Sequence, residues 1–166
     1  QFIATVLHKP KLLILDEPFS GLDPINTNLI KDEIRKLNQA GTSIIFSTHQ
    51  MEQVEEMCEY IVLINKGKNV LNGKVNDIRQ KFKENLFKIE YTGELPPGLD
   101  AADAANDAFD VTTTRTDGLL LIKTGEGGDS NELLRFLIQK GVHIQSFNEV
   151  LPSINDIFIR QVAASN

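Results

Sequence analysis

The chain contains one cysteine, Cys58, in 166 residues. A single thiol excludes an internal disulfide framework and a zinc site built on cysteines, and it fits a reducing compartment. No apolar run approaches the ~20 residues of a membrane-spanning helix, so no membrane span is expected. A basic excess is missing too. The chain has 17 Lys and Arg against 23 Asp and Glu, a formal net charge of -6. It lacks the positive footprint of a nucleic-acid binder, and no nucleic-acid partner is expected. The opening Gln1-Phe2-Ile3-Ala4-Thr5 has no initiator Met, no basic segment and no small-residue cleavage site, so it does not read as a signal peptide. It reads as a sequence joined part-way along. What is present is ordinary for a folded domain, with 41% apolar and 24% charged residues.

Charge divides the chain. Residues 1–85 hold 11 basic and 11 acidic side chains, whereas residues 86–166 hold 6 and 12. The expected organisation is therefore a neutral module over 1–85 followed by an acidic one over 86–166.

The first module alternates strand and helix. A helix end is expected over Phe2 to Leu7, before Pro10. Leu12-Leu13-Ile14-Leu15 is a continuous apolar run, which predicts a strand buried on both faces. Asp23 is a good helix N-cap with Pro24 behind it. Ile25, Leu29, Ile30, Ile34 and Leu37 then make one helical face, closed by Gly41. Ser43 to Phe46 predicts a second strand, Glu52 to Glu59 a short helix, and Ile61 to Ile64 a third strand. This alternation indicates an α/β parallel sheet. A turn over residues 65–68 and a linking helix over Asp77 to Lys83 follow.

The second module has a different rhythm. Phe87, Ile89 and Tyr91 alternate as in a half-exposed strand. Pro96-Pro97-Gly98 marks a loop, and Asp100 to Ala108 a short helix. Val111 to Arg115 and Leu119 to Lys123 flank Thr116-Asp117-Gly118, a hairpin signal. Ser130 caps a helix whose Leu133, Leu134, Leu137 and Ile138 share a face, and Val142 to Phe147 forms a further strand. The pattern β-(α)-β-β-α-β predicts a small α+β domain of ferredoxin-like type. A last helix starts at Ser153, where Asp156 completes a capping box, with Ile154, Ile157, Phe158 and Val162 facing inward.

Three features carry chemistry. Asp16-Glu17 ends the first predicted strand, and the carboxyl ends of parallel strands are where α/β folds place ligands. A carboxylate there can hold Mg²⁺ beside nucleotide phosphates, and a second can orient a water for attack on a γ-phosphoryl group. The simpler alternative is a pair of solvated carboxylates. Ser20-Gly21-Leu22-Asp23-Pro24 follows, and by itself it is a turn and a cap. His49 ends the second strand, where an imidazole can hydrogen-bond a phosphate oxygen or merely serve the structure.

Together, in order and spacing, these residues resemble the Walker B, D-loop and H-loop motifs of ABC-type ATPases, and the resemblance covers residues 1 to about 85. It implies that Asp16 associates with Mg²⁺, that Glu17 polarises the attacking water, that Asp23 communicates across an ATP-sandwich dimer, and that His49 contacts the γ-phosphate. It implies ATP and Mg²⁺ as cofactors. The implied partners are a transmembrane permease and a second ATPase subunit. The implied location is cytoplasmic, peripheral on the inner face of the membrane. Pro152-Ser153-Ile154-Asn155-Asp156-Ile157-Phe158 resembles the Pro-Ser-Leu-Glu-Asp-Ile-Phe stretch that closes a C-terminal accessory domain of exporter-type ABC ATPase subunits. A capped amphipathic helix would explain the same residues without a function.

The pattern also departs from the family. A P-loop reads G-x-x-x-x-G-K-[ST]. Gly-Lys occurs only at Gly67-Lys68 and Gly73-Lys74, and five residues before those glycines stand Val62 and Lys68. No glycine precedes Gly21, so the Gly-rich signature is missing as well. The expectation is thus the C-terminal part of a P-loop NTPase sheet followed by an accessory domain, active in an intact subunit and inactive alone. Two other functions fit less well: an ABC ATPase uncoupled from transport, and a non-catalytic interaction module. The first should show basic stretches or long heptad arms, which the acidic tail lacks.

Overall fold

The computed structural model describes residues 2–93, 114–116, 118–125 and 129–164. It divides into two compact units, residues 1–61 and 62–166.

The first unit begins with helix α1 (Phe2–Val6) and strand β1 (Leu12–Asp16). Helix α2 (Pro24–Gln39) crosses over to strand β2 (Ser43–Ser47), which pairs parallel with β1. Leu13 lies opposite Ile44 and Asp16 opposite Ser47, so both strands end at the same level. Helix α3 (Met51–Met57) follows. Asp23 caps α2 as expected, and Gly41 takes the left-handed conformation (φ 96°) just past its end.

Two expectations about burial are corrected. β1 is buried on one face only. Leu13 points inward, whereas Ile14 is 68% exposed and its neighbour Ile45 on β2 is 57% exposed. A strand with one lateral partner and cover on one side cannot bury both faces. The apolar face assigned to α2 is rotated as well. Ile34 is buried and Ile30 and Leu37 are half-buried, but Ile25 and Leu29 are exposed, and Lys31 lies inside at 8% exposure. Lys31 tolerates this because its ammonium pairs with Glu56 of α3 and sits 5.9 Å from the ring centre of the buried Phe19.

Strand β3 (Tyr60–Asn65) does not extend the parallel pair. It pairs with β4 (Lys68–Lys74), a strand the sequence reading did not predict. The two-residue connection explains why. Lys66 (φ 48°) and Gly67 (φ 72°) both have positive φ, as a type I′ hairpin turn requires. Helix α4 (Val75–Lys81) follows and buries Val75 and Ile78.

The rest of the second unit is built on four strands: β5 (Leu86–Thr92), β6 (Thr114–Thr116), β7 (Leu119–Lys123) and β8 (His143–Val150). Their order in the sheet is β6-β7-β5-β8, with every pairing antiparallel. Alternation sends Phe87, Ile89 and Tyr91 of β5 and Leu120 and Ile122 of β7 to one face. Helix α5 (Ser130–Gln139) covers that face with Leu133 and Leu137, and Phe87 stacks on Phe147 at 5.1 Å between ring centres. Asp129, one residue before Ser130, is the N-cap of α5; its carboxylate accepts the Asn131 amide at 2.9 Å. Ile138 is exposed, and Phe136 packs on the core in its place. The predicted helix over 100–108 and the start of the predicted strand at Val111 lie outside the described residues.

Helix α6 (Ile154–Ala164) begins as expected. The Ser153 hydroxyl accepts the Asp156 amide at 3.1 Å, and Asp156 reaches back to the Ser153 amide at 3.3 Å. Ile154 and Ile157 are fully buried. The Arg79 guanidinium on α4 donates to the Pro152 and Leu151 carbonyls at 3.0 and 3.3 Å, tying the entry of α6 to α4. Among the described residues no helix is long and apolar enough to cross a membrane.

Candidate functional site

Parallel pairing sets the ends of β1 and β2 side by side, and the chain immediately after each strand makes the site. The Glu17 amide donates to the Ser47 carbonyl at 3.0 Å, one step past the last pair of the ladder. Glu17 then turns into the left-handed region (φ 43°), and its carbonyl accepts the Ser20 amide at 3.0 Å. A residue with a Cβ is disfavoured in this conformation, and such residues concentrate where a side chain must be aimed. Here the turn directs Glu17 towards the end of β2.

The carboxylates and the residues after β2 meet in register. The Ser47 hydroxyl hydrogen-bonds Asp16 Oδ1. Glu17 Oε1 accepts the His49 amide at 3.0 Å and lies 2.6 Å from His49 Nδ1. Glu17 Oε2 faces the Thr48 hydroxyl at 3.2 Å. The His49 ring beside it, and then the His49 amide and the Thr48 hydroxyl, hold the Glu17 carboxyl below its ordinary range, although partial burial works against them. The ring is itself largely exposed.

Asp23 stands apart from this cluster. Its Oδ1 accepts the Ile25 and Asn26 amides at 2.9 and 3.0 Å, and its Oδ2 accepts the Asn26 side chain at 2.5 Å. The Asn26 amide first, then its side chain, hold the Asp23 carboxyl low. Among the described residues it makes no hydrogen bond to Asp16, Glu17 or His49.

Of the residues singled out from the sequence, Asp16, Glu17 and His49 are thus brought together at the strand ends. Ser47, Thr48 and Gln53 were missed. The signal was available for the first two, since the register that puts His49 beside Glu17 puts the residues before it there as well. Gln53 carries no local signal, because its contact depends on how α3 folds back. Among the described residues no group of three or more His, Cys, Asp or Glu side chains is placed to hold a metal ion by itself.

Comparison with known proteins gives the family. A family model described as "ATP-binding protein DrrA1-3-like, C-terminal domain" matches residues 73–162, more than half of the chain. The chain belongs to the DrrA1-3-like family. A second model, for an AAA domain named after the AbiEii toxin of type IV toxin–antitoxin systems, matches residues 1–55. The ABC transporter ATP-binding protein YhaQ of Bacillus subtilis is 41% identical over 99% of this chain and 53% of its own length. The linearmycin resistance ATP-binding protein LnrL of Bacillus subtilis is 40% identical over 66% of this chain and 35% of its own. A fluoroquinolones export ATP-binding protein of Mycobacterium tuberculosis is 33% identical over 65% and 36%. A solved ATP-binding subunit of an ABC transporter is 34% identical, with a TM-score of 0.43, over 46% of this chain and 32% of its own. The chain spans about half the length of the curated relatives that match it end to end. This DrrA1-3-like chain therefore joins an α/β segment, which carries the strand-end cluster, to the C-terminal domain that names its family.

Proposed function

We propose that the chain is part of the ATP-binding subunit of an ABC exporter, and that in the intact subunit it supplies residues for Mg-ATP hydrolysis. The observation that carries this reading is the Glu17 carboxylate held between the His49 and Thr48 donors at the ends of two adjacent parallel strands. Glu17 is ionised and fixed, as a group that orients water for attack on a γ-phosphoryl must be. With Nδ1 committed to Glu17, His49 has Nε2 left for a phosphate oxygen, and the ring donates from both nitrogens when it is cationic. Asp16 fits Mg²⁺. Ser47 holds one carboxylate oxygen, and Mg²⁺ takes one or two carboxylates with water and phosphate oxygens rather than an all-protein cage. When bound, Mg²⁺ neutralises charge on the phosphates. Asp23 keeps the first turn of α2 formed, so that the preceding loop can face a second subunit.

The export direction is supported by two relatives, one named for linearmycin resistance and one for fluoroquinolones export. In this reading the subunit works as an ATP-sandwich dimer with a transmembrane permease, on the cytoplasmic face of the membrane. In this reading residues 86–166 form the accessory domain, and the antiparallel order β6-β7-β5-β8 supports a ferredoxin-like arrangement for it.

The test is Glu17→Gln in the full-length subunit assembled with its permease. Hydrolysis should fall by roughly 10²–10⁴-fold, the scale of a positioned base, while nucleotide binding persists. Normal turnover in that variant would refute the reading.

A further inference from the structure

A carboxylate on an exposed corner keeps several rotamers unless both of its oxygens are held. His49 holds Oε1 of Glu17 through its amide and its ring. Among the described residues Oε2 has one partner, the Thr48 hydroxyl.

Thr48 is in turn fixed by α3. Its Oγ1 accepts the Gln50 amide at 3.1 Å and lies 3.2 Å from Gln53 Oε1. Gln53 is more than nine-tenths buried, and its Nε2 donates to Gln50 Oε1 at 2.7 Å. A hydroxyl has a single proton, and here two acceptors stand at the same distance from it. The ionised carboxylate is the stronger acceptor, so the proton goes to Glu17. Turning both side-chain amides keeps the chain satisfied: Gln50 Nε2 then donates to Gln53 Oε1, and Gln53 Nε2 donates to the remaining lone pair of Thr48 Oγ1. The chain Gln50–Gln53–Thr48 then donates in one direction, towards Glu17.

We propose that Thr48 is a positioning residue for Glu17, with Gln53 as its buried anchor. This inference rests on the ATPase reading above. Thr48 need not touch nucleotide. It acts by holding the second carboxylate oxygen, so that the one lone pair of Glu17 left over faces a single direction. A rival role also exists, since the Gln50-to-Thr48 bond is an ordinary turn that starts α3.

Steady-state hydrolysis by the full-length subunit with its permease separates the two roles. Thr48→Val keeps the shape and removes the hydroxyl. Its kcat should fall by about 10- to 100-fold, the scale of a misplaced catalytic group, with KM for Mg-ATP little changed. Thr48→Ser should recover most of the rate. In a Glu17→Gln background Thr48→Val should cause no further loss, because a residue that acts only through Glu17 has nothing left to position. An unchanged kcat in Thr48→Val, or an equal loss in both backgrounds, overturns the proposal while leaving Glu17 in its role. Normal hydrolysis by Glu17→Gln alone overturns the ATPase reading and this inference together.

Discussion

Ile89 and Ile138 belong to the same unit and differ in the environment the fold gives them. Ile89, at the centre of β5, is 0% exposed; Ile138, on α5, is 60% exposed. On one side Ile89 lies opposite Leu120 of β7 and on the other opposite Phe147 of β8, and it belongs to the cluster covered by Leu133 and Leu137. Ile89→Ala removes three carbons at about 0.8 kcal/mol each and leaves a cavity the packed sheet cannot fill, for a total of about 3–4 kcal/mol. A unit of this size loses about 4–8 °C in Tm per kcal/mol, so its melting point should drop by about 12 °C or more. Ile138→Ala removes the same atoms from water-exposed surface and replaces a weaker helix former with alanine, so it should change stability by no more than about 0.5 kcal/mol. Differential scanning calorimetry of the two variants and the parent chain measures both effects. If Ile89→Ala lowers the transition no further than Ile138→Ala, the four-stranded sheet is not the core described here.

Two further predictions concern acid and nucleotide. Arg160 holds the Glu84 carboxyl, and the Ser153 hydroxyl holds the Asp156 carboxyl, below the ordinary carboxylate range. A carboxyl depressed on folding adds stability above its unfolded value, and that stability is lost as pH falls through its folded value. The C-terminal unit should therefore melt at lower temperature as pH drops from about 5 to 3, and Glu84→Gln with Asp156→Asn should flatten that slope. An equally steep slope in the double variant would refute the assignment. The 166-residue chain alone should bind Mg-ATP weakly or not at all, since it carries no P-loop backbone or lysine to cradle the phosphates. Micromolar affinity by calorimetric titration would show that its strand-end residues suffice.

Local chemistry made some elements legible. The Asp23-Pro24 start of α2 and the Ser153–Asp156 box of α6 are each encoded within a few residues, and each forms as read. At the predicted hairpin Leu119–Lys123 pairs antiparallel with Thr114–Thr116, so Thr116 belongs to the strand rather than to the turn. Strand β4 was hidden because Lys68-Asn69-Val70-Leu71-Asn72-Gly73-Lys74 has little β-forming composition, and its pairing comes from the turn rather than from its own residues. The buried face of α2 was misassigned for a different reason, since it includes Lys31. Periodicity weighs apolar residues alone, and a long amphipathic stem can lie inside when its charge finds a partner, here Glu56. The site divides in the same way. Asp16, Glu17 and His49 follow from strand ends and spacing, whereas Gln53 reaches Thr48 only through the path of α3.

Register joins the fold to the site. The pairs Asp16–Ser47 and Glu17–His49 exist only while β1 and β2 stay aligned as they are, because a slip of one residue would turn every side chain of the slipped strand to the other face. The alignment is held far from the carboxylates. At the opposite end of the ladder the Ser43 amide donates to the Lys11 carbonyl at 2.9 Å, and the buried Thr42 hydroxyl donates to the Pro10 carbonyl at 3.0 Å. The Thr42 carbonyl also accepts the Asn38 side chain at 3.3 Å, and the Thr42 amide donates to Leu37, which ties β2 to the end of α2. The helix that Asp23 starts therefore fixes, through its last turn, where β2 begins, and the length of β2 then sets where His49 falls. The position of the imidazole beside Glu17 is thus a consequence of capping and crossover geometry as much as of the residues in contact there.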